Sequence, residues 1–235
     1  MFSKSAKFYN ALYGSMDKDY VAEAQKVHQI IQQYKRSPGN TLLEVACGTG
    51  LHASLLQKDY QVEGLDLDPE MLAVARQNYP DIPLHQADMA EFDLGKQFDA
   101  ITCLFSSIGY VKTKERLGGA IQTMTHHLCS GGVLIVEPWF TPEQWKPGRV
   151  SALFVDQPEL KICRMNISEV DGLLSFFVFH YTVGTPQGVE YFTERHELGL
   201  FTQEECLKAF HKAGLETIHD PEGLDGRGLY IGSKA

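Results

Sequence analysis

Thr41-Leu42-Leu43-Glu44-Val45-Ala46-Cys47-Gly48-Thr49-Gly50 is the stretch that decides how this chain is read. Leu42, Leu43, Val45 and Ala46 around a single inward acid, Glu44, describe a strand buried on both faces, the pattern of a parallel sheet. Cys47-Gly48-Thr49-Gly50 breaks that strand at its carboxyl end, where an open α/β sheet places its ligand. Gly48 and Gly50 have no Cβ, so a ligand can lie against bare backbone. The helix expected from Leu51 to Lys58 turns its free N–H groups and positive dipole end toward anything negative there. Gly48, Gly50 and Ala53 also satisfy the dinucleotide pattern G-x-G-x-x-G/A, so the loop by itself leaves several adenosine-bearing cofactors open.

The segments that follow keep the β/α alternation. Gln61 to Asp66 reads as a second strand ending in an acid, at the spacing where a carboxylate accepts both hydroxyls of a ribose. Asp68 before Pro69 reads as the cap of a helix running to about Asn78. A short third strand, Ile82 to Gln86, leads to Ala87-Asp88-Met89, a second acid on the same sheet edge. An Asp there can accept from an adenine amino group while the next backbone N–H reaches a ring nitrogen. That suits an S-adenosylmethionine enzyme and has no particular use in a nicotinamide enzyme. Phe98 to Phe105 is the fourth strand, and Ser106-Ser107-Ile108-Gly109-Tyr110 follows it where such sheets face the reactive end of a cofactor. Lys114 to Leu128 reads as a helix, and Gly131 to Pro138 as a buried fifth strand running into Trp139-Phe140. His126 and His127 read as helix-end residues near the negative pole of the dipole.

Both ends and the region before the C-terminus complete the plan. Phe8, Tyr9, Leu12 and Tyr13 have helical spacing up to Gly14, and Asp17 is the expected cap of a helix to Tyr34 with Val21, Ala24, Val27, Ile30 and Ile31 on one stripe. From about Arg149 to Leu200 the period changes to two, as in Leu173-Ser175-Phe177-Phe179-Tyr181, with turns at Asp171-Gly172 and Gln187-Gly188. A last helix is announced by Thr202 with Glu205 three positions on, and stopped by Gly214. Two terminal strands, near Leu215 to His219 and Leu229 to Ser233, are joined through Asp225-Gly226-Arg227-Gly228. The expected fold is α/β, a Rossmann-like seven-stranded mixed sheet with an N-terminal helical cap and an antiparallel β insertion after the fifth strand. Residues 1–148 and 201–235 would form the cofactor domain, 1–36 its cap, and 149–200 the insertion over the acceptor site.

Composition narrows the function classes. The 235 residues carry a net charge of −9 with no basic cluster, which speaks against a nucleic-acid surface. Five scattered cysteines without C-x-x-C suggest reduced thiols and no zinc site. Neither a leader-like N-terminus nor an apolar stretch of membrane-spanning length is evident, so a cytoplasmic protein acting on a small molecule is expected, without a membrane partner. An exposed edge of the insertion would offer a homodimer its seam.

On these residues the chain resembles the class I S-adenosylmethionine-dependent methyltransferases, with Glu44 to Gly50 as the first motif, Asp66 as the ribose acid, Asp88-Met89 at the adenine and Gly131-Gly132 opening the fifth strand. Within them it is most similar to the N,N-dimethyltransferases of nucleotide-linked deoxyaminosugars in macrolide pathways. That similarity rests on Leu104 to Tyr110, Val136-Glu137-Pro138-Trp139, Lys18-Asp19-Tyr20 and Gly226-Arg227-Gly228-Leu229. The resemblance implies a cofactor held by Tyr20, Glu44, Ala46, Gly48, Gly50, Asp66, Asp88, Met89 and Phe105. It implies that Arg227 binds the substrate pyrophosphate; a diphosphate needs localised positive charge, for which Arg149 or Lys146 would be helpers, while Ser107, just past the fourth strand, and Trp139, able to stack on a base or sugar, would border the acceptor. Tyr13 and Tyr110 would orient the amine; Tyr110 stands where some members carry His, so a histidine base at that position does not transfer. The chemistry asks little of side chains, since an amine lone pair displaces a thioether once aligned and desolvated. Two other readings stay open from residues alone: a methyltransferase for an amino acid, amine or hydroxylated natural product, and a nicotinamide-dependent oxidoreductase, against which stand Asp88-Met89 and the expected lack of a recognisable Tyr-x-x-x-Lys relay or other hydride-transfer site.

Overall fold

The computed structural model describes residues 2–16 and 18–235. A 3₁₀ turn at Ala6–Phe8 leads into α1 (Tyr9–Gly14) and then α2 (Tyr20–Tyr34). The cap of α2 is Asp19, whose side chain accepts from the Ala22 N–H at 2.9 Å; Asp17, the expected cap, lies outside the described residues. Ala24, Val27, Ile30 and Ile31 form the buried stripe of α2, whereas Val21 is exposed because it lies off the side of that stripe, although Glu23 in the same turn is buried.

The central sheet is built from β1 (Thr41–Val45), β2 (Gln61–Asp66), β3 (Leu84–Gln86), β4 (Phe98–Cys103) and β5 (Leu128–Val136), all parallel. The helices α3 (Leu51–Leu56), α4 (Pro69–Asn78) and α5 (Lys114–His126) connect them. Some ends differ from the sequence expectation by a few residues. β4 stops at Cys103 because Phe105 and Ser106 turn to φ +53° and +60°, outside the extended region.

A second, antiparallel sheet consists of β6 (Val150–Gln157), β7 (Leu160–Ile167), β8 (Glu169–Asp171), β9 (Leu174–Thr185) and β10 (Gly188–Gly199), in the order β10-β9-β7-β6 with β8 on β9. After it, α6 (Gln203–Lys212) starts with a complete capping box: Glu205 N–H donates to Thr202 Oγ1 at 3.2 Å, and Thr202 N–H donates to Glu205 Oε2 at 3.0 Å. β11 (Leu215–Asp220) and β12 (Leu229–Lys234) then close the central sheet in the order β11-β12-β5-β4-β1-β2-β3, with β12 antiparallel to β5.

The alternation of strand side chains assigns them to two cores. Leu42, Ala100 and Ile135 join α2 and α3 on one face. Leu43, Ile101 and Leu134 join α5 and α6 on the other. Each such buried aliphatic side chain contributes ~1.5–3 kcal/mol of transfer free energy. A third cluster fastens the second sheet to the N-terminal segment: Phe8, Leu12 and Tyr13 pack with Ile162, Phe177, Phe179, Tyr181 and Leu198. Buried Glu194 of β10 anchors the same segment, accepting from the Lys4 N–H at 2.6 Å and from Ser5 Oγ at 2.6 Å. The cleft between the two sheets is therefore roofed by β-structure and closed at one end by aromatic rings. Among the described residues no helix is long and apolar enough to cross a membrane.

Candidate active site

The carboxyl ends of β1 to β4 meet at a cleft of ≈ 1570 Å³. Ala46 and Gly48 stand at φ +56° and +57°, which folds the loop after β1 back on itself. The left-handed conformation favours glycine at 48, where a Cβ would meet only the flexible end of Met71, at 3.1 Å from Cε. Asp66, at the tip of β2, is clamped by backbone: Gly48 N–H donates to Oδ2 and Asp68 N–H to Oδ1, each at 2.8 Å. Burial raises its pKa while those N–H groups oppose the shift. The clamp fixes the carboxylate and leaves lone pairs on both oxygens for a pair of hydroxyls. Asp68 caps α4, accepting from the Glu70 N–H at 3.0 Å. Asp88 accepts from the Ala90 N–H at 2.9 Å and pairs with Arg116 at 2.6 Å, which holds it at the cleft beside Met89.

Three residues expected at the cofactor do not border the cleft: Glu44, Gly50 and Tyr20. Gly50 has a conformational job, standing at φ +80° as the cap position of α3. Glu44 lies behind the loop in a buried chain of polar groups. Lys18 pairs with Glu23, Glu23 Oε2 lies 2.8 Å from His52 Nε2, and His52 Nδ1 lies 3.8 Å from Glu44 Oε1. Burial pushes Glu44 up to about 8, so it is neutral at pH 7 and adds no charge under the glycine loop. Tyr20 rests on the ring of His52, with centroids 5.0 Å apart. All three support the loop from behind.

The far end of the site is aromatic. Phe105 meets Tyr13 edge to face at 5.0 Å, and Lys18 Nζ lies 4.3 Å from the Phe105 centroid. The turn that presents Phe105 is held by Glu137, whose Oε2 accepts the Phe105 N–H at 2.6 Å, and by Ser106 Oγ, which donates to the Pro138 carbonyl at 2.6 Å. Ser107 starts the 3₁₀ turn Ser107–Val111 and lines the cleft. Tyr110, in the same turn, has its hydroxyl 2.8 Å from His196 Nδ1. Tyr110 and Lys114 share the Tyr-x-x-x-Lys spacing of hydride-transfer relays, but Lys114 is paired with Glu205 of α6, away from the phenol.

Toward the second sheet the cleft carries cations. Arg227 faces Glu137 Oε1 at 3.0 Å, an ion pair without hydrogen-bond alignment, and its Nε donates to Asp225 Oδ1 at 3.0 Å. Its charge is thus already compensated. Arg149 is exposed at the rim, and Lys146 beside it donates to the Glu143 carbonyl at 3.3 Å. Trp139 is a wall residue fixed by its Nε1, which donates to Ser175 Oγ at 2.9 Å, and by Phe140 and Trp145 at 4.7 and 5.6 Å.

Motif reading passed over two residues, Arg164 in the cleft wall and His196 behind Tyr110. Arg164 of β7 is only 8% exposed, lines the cleft, lies 4.2 Å from the Phe179 centroid and donates to Tyr13 Oη at 3.3 Å. No carboxylate pairs with it among the described residues. His196 of β10 is 1% exposed. Both occupy inward positions on their strands, in phase with Ile162 and Leu198, and a charged or polar residue at apolar parity is the signal that could have found them.

A glycine loop free of side chains, a clamped acid at the second strand, a second acid at the third and an aromatic end fit S-adenosylmethionine. When bound, that cofactor supplies an electrophilic methyl on a sulfonium.

Residues 42–132 match the family model described as a methyltransferase domain. The whole chain is similar to the dTDP-3-amino-3,4,6-trideoxy-alpha-D-glucopyranose N,N-dimethyltransferase of Streptomyces venezuelae, at 40% identity over 98% of both chains. Among solved structures it resembles Streptomyces venezuelae DesVI, with a TM-score of 0.92 at 40% identity over 98% of both chains. It also resembles the S-adenosylmethionine-bound CalS10, an amino pentose methyltransferase of Micromonospora echinaspora, with a TM-score of 0.87 at 36% identity over 97% of this chain and 96% of that one. The chain belongs to the S-adenosylmethionine-dependent methyltransferases, in the family that contains the dTDP-aminosugar N,N-dimethyltransferases.

Proposed function

We propose that this methyltransferase transfers methyl groups to the amino nitrogen of a nucleotide-linked deoxyaminosugar. The observation that carries this reading is the cleft itself, which runs from the glycine loop to a wall of cations under the second sheet and has room for cofactor and sugar nucleotide together. Asp66, Asp88, Met89, Ala46, Gly48 and Phe105 hold the cofactor, with Glu44, Gly50 and Tyr20 shaping the loop from behind. Residues 149–200 cover the acceptor. Arg164 and Arg149 face the diphosphate, and Arg227 joins them by exchanging exposed Asp225 for a phosphate oxygen while Glu137 stays in place. Ser107 and Trp139 border the sugar.

Tyr13 and Tyr110 orient the amine. Burial raises both phenols above their ordinary value, so neither supplies a phenolate base at neutral pH. Rate acceleration then comes from alignment and exclusion of water, and the ammonium product loses its proton to solvent. For a homodimer the candidate seam is the open edge of β6, where Val150 and Phe154 are exposed. Incubation with S-adenosylmethionine and a panel of thymidine-diphosphate aminosugars, followed by mass spectrometry, tests the reading. Successive gains of two methyls on one sugar support it; cofactor binding with no sugar methylated overturns it.

A further inference from the structure

A phenol beside an amine can act in two opposite ways. If its O–H donates to the nitrogen, it occupies the lone pair that must attack the methyl. If its oxygen accepts an N–H, the lone pair stays free. The outcome depends on where the phenolic proton goes when no substrate competes for it.

At Tyr110 the partner is His196. The hydroxyl and Nδ1 are 2.8 Å apart, and the imidazole is enclosed by Phe2, Phe179 and Phe177 with centroids at 4.4, 5.0 and 5.5 Å. Nε2 is buried and has no hydrogen-bond partner among the described residues. Packed among aromatic rings tilted to it by 45° and 58°, a buried nitrogen without a polar partner is better accommodated as an N–H than as a bare lone pair. With the ring proton on Nε2, Nδ1 is an acceptor and the Tyr110 O–H donates to it across the 2.8 Å contact. Burial, with Arg164 nearby, drops the His196 pKa to about 3, so the ring stays neutral.

We propose that His196 is a positioning residue that turns Tyr110 into a hydrogen-bond acceptor for the substrate amine and so keeps the nitrogen lone pair aimed at the methyl. The proposal rests on the aminosugar reading above. In the transfer, the nitrogen lone pair forms the N–C bond as the C–S bond breaks, its electrons return to sulfur, and the resulting ammonium releases a proton to water. A primary and a secondary amine each bring an N–H for Tyr110 to accept, so the contact serves both transfers.

Two measurements test this. The tautomer of His196 is read by ¹⁵N NMR of the imidazole in the ligand-free protein: an Nε2-protonated ring is expected, and an Nδ1-protonated ring overturns the proposal. In a double-mutant cycle, His196→Phe, which keeps a ring among the aromatic neighbours, is expected to lower kcat about tenfold with little change in the acceptor KM. In a Tyr110→Phe background the same change should cost nothing further, and His196→Asn, whose Oδ1 can accept near the position of Nδ1, should recover activity. An equal loss in both backgrounds makes His196 a packing residue and refutes the inference. If the wild-type enzyme methylates no aminosugar nucleotide, the acceptor reading falls, and the tautomer alone decides the polarity of Tyr110.

Discussion

Replacing Arg227 by leucine separates two jobs held by one guanidinium. Glu137 is fully buried, one oxygen accepting the Phe105 N–H at 2.6 Å and the other 3.0 Å from Arg227. Burial raises Glu137 to about 7 even with Arg227 beside it. Without the cation its pKa climbs further, so near pH 7 the carboxyl takes up a proton rather than stranding a charge, and the cost stays below the ~3–5 kcal/mol of an uncompensated buried ion. The sign follows from linkage. A carboxyl whose folded pKa is raised contributes stability that is fully present below its unfolded value and lost as pH rises through the folded value. In the wild type that loss is nearly complete by about pH 8, one unit above the folded pKa, whereas in Arg227→Leu it continues upward at ~1.4 kcal/mol per pH unit. Between pH 6.5 and 8.5 the variant should fall behind the wild type by an additional ~2 kcal/mol, or about 4–8 °C in Tm for a chain of this size. Adding Glu137→Gln should abolish this pH dependence. Melting curves at the two pH values check it, and a Tm deficit of equal size at both would refute the reasoning. The binding job is read separately: the acceptor KM should rise roughly ten- to hundredfold in both the single and the double variant, with cofactor affinity nearly unchanged. An unchanged KM would remove Arg227 from the diphosphate site.

Asp66→Ala should weaken S-adenosylmethionine binding by at least about tenfold in calorimetry, because the clamped carboxylate is the proposed partner of the ribose hydroxyls; unaltered affinity would contradict that role. Glu44→Gln should flatten the decline of stability between pH 5 and 8, where the raised carboxyl of the wild type loses on the order of 3 kcal/mol as it approaches ionisation at about 8; identical Tm profiles for the two proteins would show that Glu44 is not held neutral. Thr202→Ala breaks the capping box of α6 and should cost about 1 kcal/mol, seen as a Tm lower by roughly 2–4 °C without any change in KM.

The parts of this molecule that could be read in advance are those governed by neighbouring residues. The glycine loop, the Asp68-Pro69 helix start and the Thr202–Glu205 capping box are turn and cap chemistry spanning a few positions, and the structure carries each where expected. The paired strands β9 and β10 were legible because a period of two survives any tertiary context that buries one face. What escaped is what depends on distant pairing. Arg164 meets Tyr13 across 151 residues, and nothing near either residue announces the other. The early end of β4 depends on Glu137, 32 residues away, holding the Phe105 N–H in a left-handed turn. Arg227 reads as a free cation from its glycine-flanked turn, and only the fold reveals the buried acid opposite it. The Tyr110–Lys114 spacing matches a relay by pattern alone, and the 3₁₀ turn directs the two side chains to different partners.

The antiparallel pairing of β12 with β5 also sets an order of assembly. The five parallel strands and the helices between them are complete in sequence by Val136, yet the outer flank of β5 finds its partner only at Tyr230 to Ser233. During vectorial synthesis the second sheet, made of local hairpins, emerges in between and can close first. Until the last strand arrives, Val133 to Val136 present an unsatisfied, wholly apolar edge. Chains stalled or clipped before Leu229 would carry an almost finished sheet with a sticky border, and their fate would be association rather than simple loss of activity.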